Sequence, residues 1–252
     1  MPEAWRSENT IHFETHGAGP SILLTHGFGA TCRMWDEQIE EFTDRYQMIL
    51  WDLPAHGQSG PRPPDGMTAD RLVEEMAAVL DRAAAGRAVL VGLGIGGSLS
   101  LRFWRAHPSR VRGLILIGVI PGFREPLTRE FWNDHIEQMA SGLDTNGLKW
   151  LEGGAEVDPQ AHEDAKALAA AARAMLTRND EGCHAWLTEI DVPVLVLAGG
   201  EDKPTLTAAR YMARRIEDAR LVIVPRANHA VNIHKPAPTN KAIREFLAML
   251  PP

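Results

Sequence analysis

Apolar residues in this chain fall into short continuous runs separated by segments of helical periodicity. Ile11-His12-Phe13-Glu14 alternates apolar and polar side chains, and the turn-like Gly17-Ala18-Gly19-Pro20 follows it. Next come Ile22-Leu23-Leu24-Thr25, Met48-Ile49-Leu50-Trp51, Ala88-Val89-Leu90-Val91 and Leu114-Ile115-Leu116-Ile117. Val194-Leu195-Val196-Leu197 and Leu221-Val222-Ile223-Val224 complete the series. Continuous apolar runs bounded by Gly, Pro or Asp are the pattern of parallel strands buried on both faces. Between them, helical spacing predicts helices over residues 34–42, 68–84, 95–107, 206–216 and 237–250. Thr68 is placed to cap its helix, with Asp70, Glu74 and Glu75 near the positive end of the dipole. Strands alternating with helices predict an α/β fold: a mainly parallel, doubly wound sheet with right-handed crossovers.

Residues 122–188 break the alternation. They read as helices over 128–140, 147–152 and 158–177 with no clear strand, the last containing an Ala-rich run of high helix propensity. An all-helical stretch between two strands of one sheet predicts a lid inserted above the sheet's carboxyl edge. The expected organisation is core 1–121, helical lid 122–188 and core 189–252.

Composition narrows the function. A chain of 252 residues buries one large core. The formal net charge of −7, without a Lys/Arg cluster, argues against nucleic-acid and anionic-membrane partners. The opening residues Met1 to Arg6 hold no apolar run, so no signal peptide is expected, and a cytoplasmic location follows by default. Cys32 and Cys183 form neither a metal-ligand spacing nor a disulfide framework. No metal and no organic cofactor is expected. The sequence leaves the oligomeric state open and is compatible with a homodimer.

Four short motifs carry the candidate chemistry, and their order is more telling than any one of them. His26-Gly27-Phe28-Gly29 follows the Thr25 strand, where a Gly-rich turn can leave the Phe28 N–H pointing at a developing oxyanion. Asp52-Leu53-Pro54-Ala55-His56-Gly57-Gln58-Ser59 reads as a structural strand-exit loop, so His56 and Ser59 are not taken as catalytic. Val91-Gly92-Leu93-Gly94-Ile95-Gly96-Gly97 has the flanks of the nucleophile elbow G-x-S-x-G, with glycine at its centre. The same glycines fit a dinucleotide fingerprint. That fingerprint normally follows the first strand with an acid about 20 residues later, and neither condition holds here. Finally, Gly199-Gly200-Glu201-Asp202 and Asn228-His229-Ala230 follow consecutive strands. An acid there can orient an imidazole, with Asp202 the expected partner and Glu201 the fallback.

Together these motifs resemble the α/β-hydrolase superfamily from Ile11 to Leu250, above all its lidded enol-lactonases, esterases and meta-cleavage-product hydrolases. The resemblance implies catalytic positions Gly94, Asp202 and His229, and an oxyanion hole from the N–H groups of Phe28 and Ile95. It also implies that the lid sets substrate choice, with His26, Gly27, Trp132, Met139 and Trp186 as substrate-binding candidates. Phe131 and Trp150 join the apolar side chains expected to line the pocket, which suits a small apolar acyl compound. His135, His162 and His184 read as surface or lid-packing residues.

One departure governs the function. Gly94 stands where the family's serine would, and glycine has no hydroxyl. Ser98 and Ser100 lie a turn or more into the next helix, and Cys32 lacks the elbow position. Glycine relieves about 1–2 kcal/mol of backbone strain there, whereas loss of a triad serine lowers turnover about a million-fold. Three readings follow. The first is an ester or lactone hydrolase whose nucleophile has been replaced, nearly inactive as it stands. The second is a naturally serine-less protein in which His229–Asp202 acts as general base in decarboxylation, cyclisation or direct hydrolysis. The third is a ligand receptor without chemistry. The complete oxyanion loop, acid and base favour the first.

Overall fold

A computed structural model describes residues 11–62, 67–151, 153–179 and 182–250. The opening hexapeptide read for a leader lies outside the described residues, as does Glu152 at the end of one expected helix. Seven described strands form one sheet: β1 (Phe13–His16), β2 (Ser21–Thr25), β3 (Gln47–Trp51), β4 (Ala88–Leu93), β5 (Val111–Ile117), β6 (Val194–Gly199) and β7 (Ala219–Val224). Their order is β1-β3-β2-β4-β5-β6-β7. The β1–β3 pair is antiparallel and every other pair is parallel.

The apolar runs form these strands because the two faces of the sheet feed two cores. Leu23, Ile49, Leu90, Leu114 and Val196 join one cluster. Their neighbours Ile22, Leu24, Met48, Leu50, Val89, Val91, Ile115 and Leu195 join the other. Side chains of a strand alternate between faces, so a strand covered on both sides must be apolar at every position. β7 departs from this at the sheet edge, where Ile223 is exposed. β1 lies two residues later than the alternation suggested; His12 is held beside it by the Asp52 N–H to His12 C=O bond of 3.0 Å.

Helices α1 (Asp36–Phe42), α2 (Ala69–Arg82), α3 (Ile95–Ala106), α6 (Lys203–Arg215) and α8 (Pro236–Leu247) answer the helical segments. A 3₁₀ turn, Cys32–Trp35, leads into α1. The Thr68 hydroxyl accepts from the Arg71 N–H at 3.4 Å, so it caps α2 as its position suggested. Between β5 and β6 the chain forms α4 (Pro126–Asn146), 3₁₀ turns at Leu148–Trp150 and Pro159–Ala161, α5 (Ala165–Leu176) and a 3₁₀ stretch, Gly182–Glu189. Asp164 caps α5 by accepting from the N–H groups of Lys166 and Ala167. The short α7 (Val231–His234) has too few residues for a periodic signal.

Backbone meets backbone closely where β4 turns into α3. A Cβ on Gly92 would stand 2.2 Å from the Gly96 carbonyl carbon, and one on Gly96 would stand 2.3 Å from the Thr25 oxygen of β2. These neighbours are backbone and cannot swing aside. Gly96→Ala therefore sets a helix-propensity gain of about 1 kcal/mol against a clash that must move a strand. The clash wins: we expect urea unfolding to show a net loss of at least about 2 kcal/mol. Unchanged stability would mean that α3 does not touch β2.

Candidate active site

Strand and helix meet so closely that the link between them is one sharp bend. Gly94, at its apex, has φ 54° and ψ −112°. This is the left-handed side of φ, which costs an L residue strain and glycine little. The Gly94 N–H donates to the Ile117 carbonyl at 2.9 Å, and its carbonyl accepts from Ser98 N–H at 3.1 Å. The bend aims the apex at one side chain: a Cβ built on Gly94 would lie 3.2 Å from His229 Nε2.

His229 leaves β7 and Asp202 leaves β6, and the two meet with Nδ1 2.9 Å from Oδ2. The same carboxylate oxygen accepts from the Thr205 hydroxyl at 2.5 Å. Asp202 also sits at the N-terminus of α6, where the helix dipole favours a negative charge. Burial pushes the Asp202 carboxyl up, but the bonds from His229 and Thr205 outweigh it and hold the group below its ordinary value. Burial pushes His229 down, but the Asp202 bond and the charge of Glu156 leave it raised above its ordinary value. Glu201 is exposed and takes no part in the pair. Gly118 has φ 57°, and a Cβ there would lie 2.8 Å from the His229 ring, so position 118 must stay bare for the imidazole to pass.

A cavity of about 240 Å³ opens over this pair. Gly27, Phe28, Gly94, Ile95 and His229 line it, together with Trp132, Ile136 and Met139 of α4 and Leu176 of α5. The expected binding residues divide. Gly27, Trp132 and Met139 line the cavity. His26 does not: it is fully buried, its Nε2 accepts from Leu53 N–H at 2.8 Å, and its Nδ1–H therefore donates to Gly27 C=O at 2.7 Å. Trp186 stacks on Trp104 with ring centroids 6.1 Å apart and is absent from the lining. Phe131 points to solvent at 78% exposure, and Trp150, half-exposed, lies over Gly142. An aromatic on a helix reaches the cavity only if its face turns inward, which composition does not reveal.

Two residues of the inserted segment do more than expected. Glu156 lines the cavity, and its Oε2 is buried with no hydrogen-bond partner among the described residues. No motif flags it, because its relation to His229 spans 73 positions of chain. His162, read as surface or packing, is buried. Its Nδ1 accepts from Gly57 N–H at 3.2 Å, so Nε2–H donates to Gly29 C=O at 2.9 Å. It thus ties the Asp52–Ser59 loop to the loop of Phe28. His56 is buried between them, edge-on to Phe28, and burial followed by the neighbouring imidazoles pushes it well below its ordinary value. The structural reading of this loop fits: Ser59 Oγ donates to Asp52 C=O at 2.6 Å.

The remaining hydroxyls and thiol stand apart from the apex. Ser98 reaches the cavity wall but bonds Ile120 C=O at 3.4 Å, and Ser100 Oγ donates to Gly96 C=O at 2.9 Å. Cys32 lies outside the lining, and burial, then Asp52 and Glu14, push its thiol up.

Comparison with known proteins defines the family. Residues 22–242 match the alpha/beta hydrolase family model, and the chain belongs to that family. It is 27% identical to a pimeloyl-[acyl-carrier protein] methyl ester esterase of Nitrosomonas europaea, over 88% of this chain and 93% of that one. It is 26% identical to 3-oxoadipate enol-lactonase 2 of Acinetobacter baylyi, over 94% and 92%. Among solved structures, a thermophilic esterase from Thermogutta terrifontis superposes with a TM-score of 0.80 at 27% identity, over 94% of this chain and 93% of that one. The chain is thus a hydrolase of esterase type by family. No helix among the described residues is long and apolar enough to cross a membrane.

The charges around His229 set a measurable quantity. Its NMR titration midpoint in the Gly94 protein should lie above the ordinary value of 6.5. Asp202→Asn and Glu156→Gln each remove a negative charge that favours the imidazolium, so each should lower it. Because the folded value is the higher one, the stability this pairing adds is complete below the unfolded value and is lost as pH rises through the folded value. A midpoint unmoved by Asp202→Asn would contradict the pairing.

Proposed function

We propose that this chain is an ester or lactone hydrolase with every part of its acyl-transfer site except the nucleophile, and is nearly inactive as it stands. The observation that carries the proposal is the 3.2 Å between a Cβ on residue 94 and His229 Nε2. A serine side chain on that apex reaches hydrogen-bond distance of the base with an adjustment of a few tenths of an ångström. Relatives named as a methyl ester esterase and an enol-lactonase support an ester-type carbonyl as the target.

The proposed chemistry follows from the residues. The acyl carbonyl lies over Gly94, its oxygen facing the N–H groups of Phe28 and Ile95, and its apolar part runs toward Trp132 and Met139. With serine present, Oγ attacks the carbonyl carbon while His229 Nε2 takes the hydroxyl proton; Asp202 stabilises the imidazolium. The proton passes to the leaving alkoxide, and water then opens the acyl-enzyme by the same path in reverse. With glycine, the covalent step is gone. What remains is binding and slow attack by water on a carbonyl polarised by the two N–H groups, worth roughly 10³–10⁴ over the uncatalysed rate. The helices between β5 and β6 act as the lid that selects the acyl group, the Asp202–His229 pair is the acid and base, and a small apolar acyl compound is the partner. The site as drawn requires neither metal nor cofactor.

The 2.9 Å contact between His229 and Asp202 also suits a second reading, in which the His229–Asp202 pair, without a serine, acts as general base on water or on a substrate C–H. One panel of short-chain esters, lactones and C–C diketones separates the two. Under the first reading Gly94→Ser raises kcat/KM on an ester or lactone by at least about 10³-fold, and His229→Ala in the serine background removes the gain. Under the second, the Gly94 protein turns over a member of the panel and His229→Ala abolishes it. No gain in Gly94→Ser on any member would reject the first reading.

A further inference from the structure

Away from the cavity, the edge of the sheet assembles three donors of different kinds. His12, Glu14 and His16 alternate along the β1 segment, which puts their side chains on one face. His12 Nε2 lies 3.1 Å from Glu14 Oε1, and His16 Nε2 lies 3.0 Å from Glu14 Oε2. Facing them is Cys32, at the start of the 3₁₀ turn after the Phe28 loop. One ligand atom from each of His12, Glu14 and Cys32 lies within 4.8 Å of the others.

We propose that His12, Glu14 and Cys32 form a binding site for a borderline-soft divalent cation of the zinc class, separate from the acyl site. The donor set decides the class. Imidazole nitrogen with thiolate sulfur selects zinc-like ions over magnesium or calcium, which take oxygen ligands. Three protein ligands leave the fourth tetrahedral position to water, and the thiol proton leaves to solvent as sulfur binds. His12 and Glu14 are partly exposed and can rotate to close the ligand shell, whereas Cys32 is buried and fixed.

The surroundings are built to hold the donors. The His12 N–H donates to Ser59 Oγ at 2.9 Å, and its carbonyl accepts from Asp52 N–H, so its backbone is pinned on both sides. The Cys32 N–H donates to Asp52 Oδ1 at 2.7 Å. The second oxygen of Glu14 is oriented by His16 and, at 3.9 Å, by Arg33 Nη1, as outer partners orient metal-bound carboxylates. An ion pair alone accounts for His12 with Glu14. It does not account for a buried sulfur converging on the same point. A bound ion would staple the edge strand to the segment that leads out of the Phe28 loop.

The test is titration of the reduced, chelator-treated full-length protein with Co²⁺, a spectroscopic stand-in for Zn²⁺. One equivalent should produce a thiolate-to-cobalt charge-transfer band that stoichiometric Zn²⁺ displaces. The band should vanish in Cys32→Ser and persist in Cys183→Ser and His229→Ala. His12→Gln should weaken binding by at least about tenfold. Circular dichroism checks that each variant folds; if Cys32→Ser does not, His12→Gln combined with Glu14→Gln, at partly exposed positions, should remove the band instead. Absence of the band in the parent protein would overturn the site. So would its survival in the ligand variants, or its loss in Cys183→Ser.

Discussion

The close approach of α3 to the carboxyl end of β2 shapes everything around the candidate site. Because Gly92 and Gly96 bring backbone against backbone, the chain has no room for a gradual turn from β4 into the helix. It makes the turn in one residue, at a positive φ, and that residue stands proud of the sheet edge. The same contact sets the start of α3, and Ile95 there lines the cavity together with Gly27 and Phe28, which follow β2. A geometry demanded by packing thus delivers an apex directed at His229, whatever side chain the apex carries. Glycine suits the backbone conformation better than serine, so chemistry can be lost here while the fold stays intact.

Charge is handled with similar economy. Asp202 and His229 follow adjacent parallel strands, whose exits lie side by side, so two short loops suffice to bring them together. Asp202 is kept ionised by Thr205, His229 and the α6 dipole, and the ionised acid together with Glu156 raises the imidazole. Elsewhere, buried imidazoles tie loops together. His26 and His162 each have a defined tautomer because one nitrogen accepts a backbone N–H, leaving the other to donate. His162 reaches from the helical segment between β5 and β6 to Gly29, so that segment supports the Phe28 loop as well as lining the cavity.

The parts legible in the sequence were those written in local pattern. Every central strand contains a continuous apolar run because both faces are covered, and the short length of the runs with their Gly, Pro or Asp bounds favours strand over buried helix. The sharp bend at Gly94 and the pairing of Asp202 with His229 were legible through Gly spacing and strand exits. β1 was offset because alternation marks an edge strand without marking its ends. The cavity wall was less legible: on α4, Trp132 and Met139 line the cavity while Phe131 points to solvent, and Trp186, on the 3₁₀ stretch, packs against Trp104 instead. Glu156 and His162 carry no local signal at all, since what makes them matter is contact across more than 70 and 130 residues of chain. The sequence offers Cys32 as a poor substitute for serine and as outside any metal-ligand spacing; its nearness to His12 and Glu14 depends on how the sheet edge meets the following turn.

Covalent labelling with a fluorophosphonate tests the central claim most directly, because such a probe reacts only with a nucleophile held against a base and an oxyanion hole. Peptide mapping should find the Gly94→Ser protein modified at residue 94 and the Gly94 protein unmodified, with His229→Ala in the serine background unreactive. A Gly94→Ser protein that stays unlabelled, or that is labelled at Ser98, Ser100 or Cys32 instead, would contradict the account.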